Sequence, residues 1–342
     1  MRKLLEIQQQ LLPDLTDVLK KRYAILHQVM LTGIVGRRSL AVSLNMTERV
    51  LRAETDLLKA QGLLEIESTG MRISEAGREL LEELEPIMEE LLGLSVLEDR
   101  IRDVYGLRQV VIVPGDSDTS ASTKQNLGRA GAKALLSVIR ENDIVAVTGG
   151  FTLAEVAEQL SPTFPAPLKD AWFVPARGGL GENMEYQANS IVSTMAKRVG
   201  AQYRLLHVPD LLRRDAYELL YQDQNVREIV DFIRRARIII HGIGDAMEMV
   251  RRRRLDPQTV EEIRSAGAVA ESFGHYFNED GQTVHHMLTL GLQLEDIANA
   301  EVVIGIAGGR SKAKSIHAVL KFGQEDILVI DEAAAREIVK EL

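Results

Sequence analysis

The 342-residue chain contains no cysteine, which excludes disulfides, zinc–thiolate centres and thiol nucleophiles. No apolar run approaches the ~20 residues that a membrane helix needs. A signal peptide is not expected either, because Glu6 and a run of glutamines follow the first leucines. A cytoplasmic protein is the expectation. Cationic excess is lacking as well: the net charge is −9, so only a local basic patch could serve nucleic acid. There is no Walker A motif, no Gly-x-Gly-x-x-Gly after a strand and no Gly-x-Ser-x-Gly elbow. Nothing therefore marks an ATPase, a dehydrogenase or a serine hydrolase. What the chain does have is 45% hydrophobic residues, enough for a sizeable core, and a length that fits roughly two domains.

One short pattern occurs twice. Ile144-Val145-Ala146-Val147-Thr148-Gly149-Gly150-Phe151-Thr152 and Val302-Val303-Ile304-Gly305-Ile306-Ala307-Gly308-Gly309-Arg310-Ser311-Lys312 each read as a buried strand, a glycine turn and a helix start. Backbone N–H groups at a helix start favour an anion, and glycine lets a ligand approach the backbone. The second turn places cations where the helix dipole opposes them unless an anion is present. Lys312 is thus the leading candidate for a phosphate contact, and Arg310 is a candidate surface residue.

Residues 1 to about 92 read as helical with one small hairpin. Pro13 to Met30 carries Leu15, Val18, Leu19, Tyr23, Leu26 and Met30 at helical spacing. A short helix from Ser39 to Leu44 and a turn at Asn45-Met46 lead to Thr47, a good N-cap. The next helix runs to Gln61 and stops at Gly62. Leu64-Glu65-Ile66 and Met71-Arg72-Ile73 flank Ser68-Thr69-Gly70 as a hairpin, and a connector helix covers Glu75 to Leu92, a segment suited to pairing between copies. This is the order of a winged helix-turn-helix. The Thr47–Gln61 helix predicts an inward stripe of Val50, Ala53, Leu57 and Ala60 beside Leu51 and Leu58. Its outward stripe is Arg49, Arg52, Asp56 and Lys59. Between residues 20 and 60, eight cations stand against three carboxylates, the local excess a DNA contact requires. The residues placed to meet duplex DNA are Arg37, Arg38, Ser39, Thr47, Arg49, Arg52 and Lys59.

From about residue 94, strands alternate with helices. The expected strands are Val110–Val113, Ile144–Val147, Ala171–Val174, Arg204–His207, Arg237–His241, Val302–Ile306 and Ile327–Ile330. Several are near-continuous apolar runs, as in a parallel sheet covered on both faces. The fold class is therefore α/β: a winged helix-turn-helix over 1–92, then a Rossmann-like, mostly parallel-sheet domain over 93–342. Both glycine turns fall at strand carboxyl ends, where such sheets bind phosphates. In the glycine-rich segment Val174 to Glu182, Arg177 is equally suited to a phosphate or to an acidic neighbour. Arg251 to Arg254 can turn at most two side chains toward one site. His285 and His286, adjacent in a strand, face opposite sides and cannot easily share a metal.

These residues together resemble the SorC/DeoR family of bacterial sugar-responsive transcription regulators over nearly the whole chain. The resemblance rests on Gly36-Arg37-Arg38-Ser39-Leu40, Thr47-Glu48-Arg49-Val50-Leu51-Arg52, Asp116-Ser117-Asp118, Ala146 to Gly150, Val174 to Glu182, Gln187-Ala188-Asn189 and the Ala307-Gly308-Gly309 turn with Lys312. It implies a homo-oligomeric (dimeric or tetrameric) repressor of glycolytic genes that binds double-stranded operator DNA. Fructose 1,6-bisphosphate would weaken the operator complex by altering the oligomer. By the same resemblance, the sugar-phosphate contacts are Gly149, Gly150, Phe151, Thr152, Arg177, Gln187, Arg252, Arg253, Glu271 and Lys312, with Glu271 accepting from sugar hydroxyls and no cofactor or metal. The family has a threonine where this chain has Phe151, which leaves the backbone N–H as that position's expected contribution.

The second half also resembles sugar-phosphate isomerases and glucosamine-phosphate deaminases in fold, so an enzyme is the rival expectation. Gly242-Ile243-Gly244-Asp245-Ala246 is similar to the deaminases' Gly-Ile-Gly segment. The Asp-Gly-His continuation that carries proton chemistry there is absent. Ring opening needs a general acid and base, and only Glu271 and Asp245 offer a pair. An oligomeric scaffold with no ligand would leave the basic helix and both turns unexplained.

Overall fold

A computed structural model describes residues 11–44, 46–160, 168–179 and 183–342. The Glu6 segment, Asn45 and the Leu180-Gly181-Glu182 end of the glycine-rich string lie outside the described residues. The chain forms two compact units, one ending at Leu97 and one running from Glu98 to Leu342.

In the first unit, helices span Pro13–Thr32, Arg37–Ser43 and Glu48–Ala60. The hairpin of β1 (Leu64–Glu67) and β2 (Gly70–Ile73) follows, then a helix over Glu75–Leu91. β1 and β2 pair antiparallel, and an isolated bridge from Val35 to Met71 adds a third run to the wing. Thr47 caps the Glu48–Ala60 helix by accepting from the Val50 N–H at 3.3 Å. Ile25, Leu26, Val29, Leu40, Leu51, Leu58, Leu64 and Met71 make the core. One expected face is corrected here. The buried residues of the Glu48–Ala60 helix are Leu51, Thr55 and Leu58, while Val50 and Leu57 are 41% and 37% exposed. The helix turns about one residue from the expected stripe. Glu54 is the reason: on its inner flank it takes Lys21 Nζ at 3.3 Å and Arg22 Nε at 2.9 Å. The Arg22 hydrogen bond holds its carboxyl below the usual range against the opposing effect of burial.

The second unit is built on a seven-stranded sheet of order β3-β13-β12-β7-β4-β5-β6. Its strands are β3 (Gln109–Val113), β4 (Ile144–Val147), β5 (Trp172–Pro175), β6 (Gln202–Tyr203), β7 (Ile238–Gly242), β12 (Val302–Ile306) and β13 (Ile327–Asp331). Every neighbouring pair in it is parallel. Central strands are apolar on both faces, as helical layers on each side require. At the amino-terminal pole, Arg237 grips Asp143 with two bonds of 2.6 Å and locks β7 beside β4. On the opposite pole the chain loops form the site. Two glycines bring the Ala121–Val138 and Phe151–Gln159 helices together. A Cβ at Gly128 would lie 2.9 Å from the Glu155 backbone, and one at Gly131 would lie 2.8 Å from Val156 Cγ2.

The structure departs from the expected strands in two places. Arg204–His207 is no strand: β6 ends at Tyr203, and the Arg204 guanidinium instead stacks on Trp172 and Phe232 at 5.3 and 4.5 Å. An unexpected four-stranded antiparallel sheet of order β11-β10-β9-β8 is present. Its strands are β8 (Gly244–Asp245), β9 (Ala268–Ser272), β10 (His275–Asn278) and β11 (Thr283–His286). His286 stacks against His275 and His285 stands edge-on to Tyr276, so the two adjacent histidines do part to opposite sides.

Candidate functional site

The first glycine turn leaves β4 through Thr148 and enters the Phe151–Gln159 helix at Gly150, whose φ of 128° favours glycine. Gly149 is required for another reason, since a Cβ there would stand 2.8 Å from the Tyr186 carbonyl oxygen. The Gly150 N–H is spent on that carbonyl at 2.8 Å. The next three N–H groups, of Phe151, Thr152 and Leu153, lie in the first helical turn and have no carbonyl four residues back to bond. All three residues line one cavity, so the donors for an anion are those of the helix tip rather than of the glycines.

Nine of the ten residues expected at the sugar-phosphate site line that cavity; Arg253 does not. Its side chain is 1% exposed and closes a quartet of two guanidiniums and two carboxylates behind the wall. Arg253 bonds Asp210 at 3.0 Å, Glu271 at 2.9 Å and the Tyr276 hydroxyl at 3.0 Å. Arg177 faces the acidic neighbours Asp210 at 3.1 Å and Glu271 at 3.4 Å and also lines the cavity. The quartet is formally neutral. Burial alone would raise the Glu271 carboxyl, but Arg253 and Arg177 override it and hold the group at about 2. Burial alone would lower the Arg253 guanidinium, and Glu271 and Asp210 raise it instead. Among the described residues, the contacts to the carboxylate reach Oε1: both guanidiniums and the Gly274 N–H at 2.7 Å. A carboxylate held this far down has no proton to donate at neutral pH. Asp245, the other acid–base candidate, caps its own helix by accepting from the Glu248 N–H at 2.8 Å.

Beside Glu271, Phe273 and Gly274 form the two-residue turn between β9 and β10, both with positive φ (53° and 82°). A phenylalanine there costs about 1–2 kcal/mol. Its ring packs on His241 at 4.4 Å and lines the cavity. Asp210, Tyr186, Met249 and Phe273 also line it. None carried a motif in the sequence; Phe273-Gly274 alone held a turn signal, obscured by the aromatic residue.

The second glycine turn is corrected most. Its backbone donors already hold anions supplied by the chain. Asp331 accepts from the Gly309 N–H at 2.6 Å and the Ser117 N–H at 2.7 Å. Asp118 accepts from the Ser311 N–H at 2.8 Å and the Ser311 hydroxyl at 3.0 Å, and Asp116 accepts from the Arg310 N–H at 3.4 Å. The anion that the helix start demanded is therefore internal. Arg310 is largely exposed and pairs with Glu337 at 3.1 Å. Lys312 lines the first cavity and the adjoining one.

In the first unit, Arg49 and Lys59 are exposed on the Glu48–Ala60 helix. Arg37 pairs with Asp56 at 3.1 Å, Arg52 with Asp56 at 3.8 Å and Arg38 with Glu48 at 3.8 Å, all at the surface. Such exposed pairs are worth about 0–1 kcal/mol and exchange readily for phosphate.

A winged helical head and a parallel α/β unit with an anion-receptive pocket define a ligand-responsive transcription regulator. The chain belongs to the SorC/DeoR family of sugar-binding transcription regulators. Residues 18–88 match the "CggR N-terminal DNA binding domain" and residues 89–340 the "Putative sugar-binding domain". It is similar to the central glycolytic genes regulators of Priestia megaterium (45% identical, 100% of this chain and 99% of that one) and Bacillus subtilis (42%, 100% of each). The full-length sorbitol operon regulator SorC of Klebsiella pneumoniae shares the fold, with a TM-score of 0.67 at 18% identity over 89% of this chain and 94% of that one. These close relatives are transcriptional regulators, not enzymes. Among the described residues, no helix is long and apolar enough to cross a membrane.

Proposed function

We propose that the chain is a cytoplasmic repressor of glycolytic genes whose operator complex is weakened by fructose 1,6-bisphosphate. Residues 1–92 would bind operator DNA through Arg37, Arg38, Ser39, Thr47, Arg49, Arg52 and Lys59, with Val50 and Ala53 exposed beside them for thymine methyl groups. Residues 93–342 would bind the sugar phosphate and assemble a homodimer or homotetramer, the Glu75–Leu91 helix pairing between copies. The observation that carries the reading is one cavity holding a helix tip with unfilled donors, the cations Arg252 and Lys312, and the fixed carboxylate Glu271. Helix tip and cations suit phosphate groups, and the carboxylate suits sugar hydroxyls. Arg177 and Arg253 serve by holding Glu271, and Gln187 stands at the cavity wall beside Tyr186. The effect of sugar on DNA must equal that of DNA on sugar, by linkage.

The test is a thermal-shift titration of the full chain with phosphorylated sugars. Fructose 1,6-bisphosphate should stabilise the wild type and leave Lys312→Ala unmoved; equal stabilisation of both would remove Lys312 from the site. Fluorescence anisotropy on a glycolytic operator should show binding that falls steeply with salt and with added bisphosphate. Absence of duplex binding would sink the repressor reading.

A further inference from the structure

Phe151 lines the cavity together with Tyr186 and Phe273, and it is 58% exposed. Its ring lies 3.8 Å from that of Tyr186, tilted by 37°. The Arg252 guanidinium carbon stands 5.7 Å from the Phe151 centroid, within the range where a ring quadrupole attracts a cation. Arg252 Nη1 also meets Met249 Sδ at 3.7 Å on its own helix. Phe151 and Tyr186 border both the sugar-phosphate cavity and an adjoining cavity lined by Asp118, Glu155, Glu158 and Glu185, whereas Arg252 borders only the first. The tilted ring pair therefore borders both the first space and a second one in which five carboxylates, Glu248 among them, outnumber Lys124 and Lys312, and the arginine lies on the side of the first.

We infer that Phe151 is a positioning and specificity-determining residue: its ring, backed by Tyr186, holds Arg252 over the cavity and thereby sets how tightly a sugar phosphate is bound. The inference rests on the sugar-phosphate reading of the cavity. A guanidinium stacked on a ring loses one face but keeps its edge of N–H donors, which is the part that grips a phosphate bidentately. Without the ring, the long side chain regains its rotamers, and the adjoining carboxylates compete for its charge. Phe151 thus contributes twice, by its backbone N–H at the helix tip and by its ring through Arg252.

Two measurements on the full chain test this. In a spectrum of the ligand-free protein labelled with 15N-arginine, the Arg252 Nε–H resonance should move in Phe151→Leu and stay near its place in Phe151→Tyr. Indifference to the leucine would overturn the stacking. Calorimetric titration then compares fructose 1,6-bisphosphate, fructose 1-phosphate and fructose 6-phosphate. Phe151→Leu should weaken the bisphosphate and only one monophosphate, by about two- to fivefold, and should cost nothing further in an Arg252→Ala background. Equal loss for both monophosphates, or undiminished loss without Arg252, would overturn the role. A wild type that binds none of the three would defeat the sugar-phosphate reading instead, and the arginine spectrum would still decide whether the ring holds the guanidinium.

Discussion

The glycine turns after β4 and β12 have the same strand, the same Gly-Gly pair and the same position at a strand end, yet one is open and the other is filled. After β4 the helix-tip donors of Phe151, Thr152 and Leu153 face a cavity. After β12 the donors of Gly309, Arg310 and Ser311 hold Asp331, Asp116 and Asp118. Both turns obey the same electrostatics, because exposed backbone donors at a helix start favour an anion. They differ in whether the anion is tethered. A tethered carboxylate makes the turn a fixed joint between β13, the 116–118 loop and β12. An untethered one makes the turn a receptor.

The comparison can be broken from either side. Asp331→Ala removes the acceptor for Gly309, Ser117 and the Ala334 N–H and should cost about 4 kcal/mol of folding stability in urea titrations. A loss below about 1 kcal/mol would show that the joint carries little. Thr152→Asp imitates at the open turn what Asp118 does at the closed one. Sugar-phosphate affinity should drop about a hundredfold, or roughly 2.8 kcal/mol, while thermal stability without ligand holds or rises; unchanged affinity would move the phosphate elsewhere. Asp118→Ala should cost only about 1 kcal/mol, since its bonds to Ser311 are exposed, and should leave sugar-phosphate affinity within twofold. A large gain in affinity would mean that the closed turn is a receptor held shut.

A further effect is read along the pH axis. Glu271 is held at about 2 in the folded chain, against an ordinary value of 4.5. Its contribution to stability is therefore complete above about pH 4.5 and is lost as pH falls from there toward 2. Urea midpoints measured down that range should fall more steeply for the wild type than for Glu271→Gln, and parallel curves would contradict the quartet's role.

The parallel sheet was legible because its central strands are buried on both faces, and apolar runs such as Val302–Ile306 show that directly. The antiparallel sheet was not: β8 has two residues, and the turn joining β9 to β10 is Phe273-Gly274 instead of an asparagine or aspartate with glycine. For the cavity, motif residues such as Gly149, Thr152 and Lys312 could be placed from local pattern and family resemblance. Arg253 and the second turn could not be judged, because their partners lie far off in the chain. Asp118 meets Ser311 across 193 positions, and Arg253 meets Asp210 across 43. The stripe on the Glu48–Ala60 helix was misplaced for a similar reason. Glu54, a charged residue, is drawn inward by Lys21 and Arg22, and no apolar periodicity records that.

The glycines at 128 and 131 touch no part of the pocket, yet they decide where its helix-tip donors stand. Any larger residue at 128 would wedge the Phe151–Gln159 helix off its neighbour and carry those three N–H groups with it. An anion held at the tip would therefore pull on a plate of two closely packed helices instead of on one.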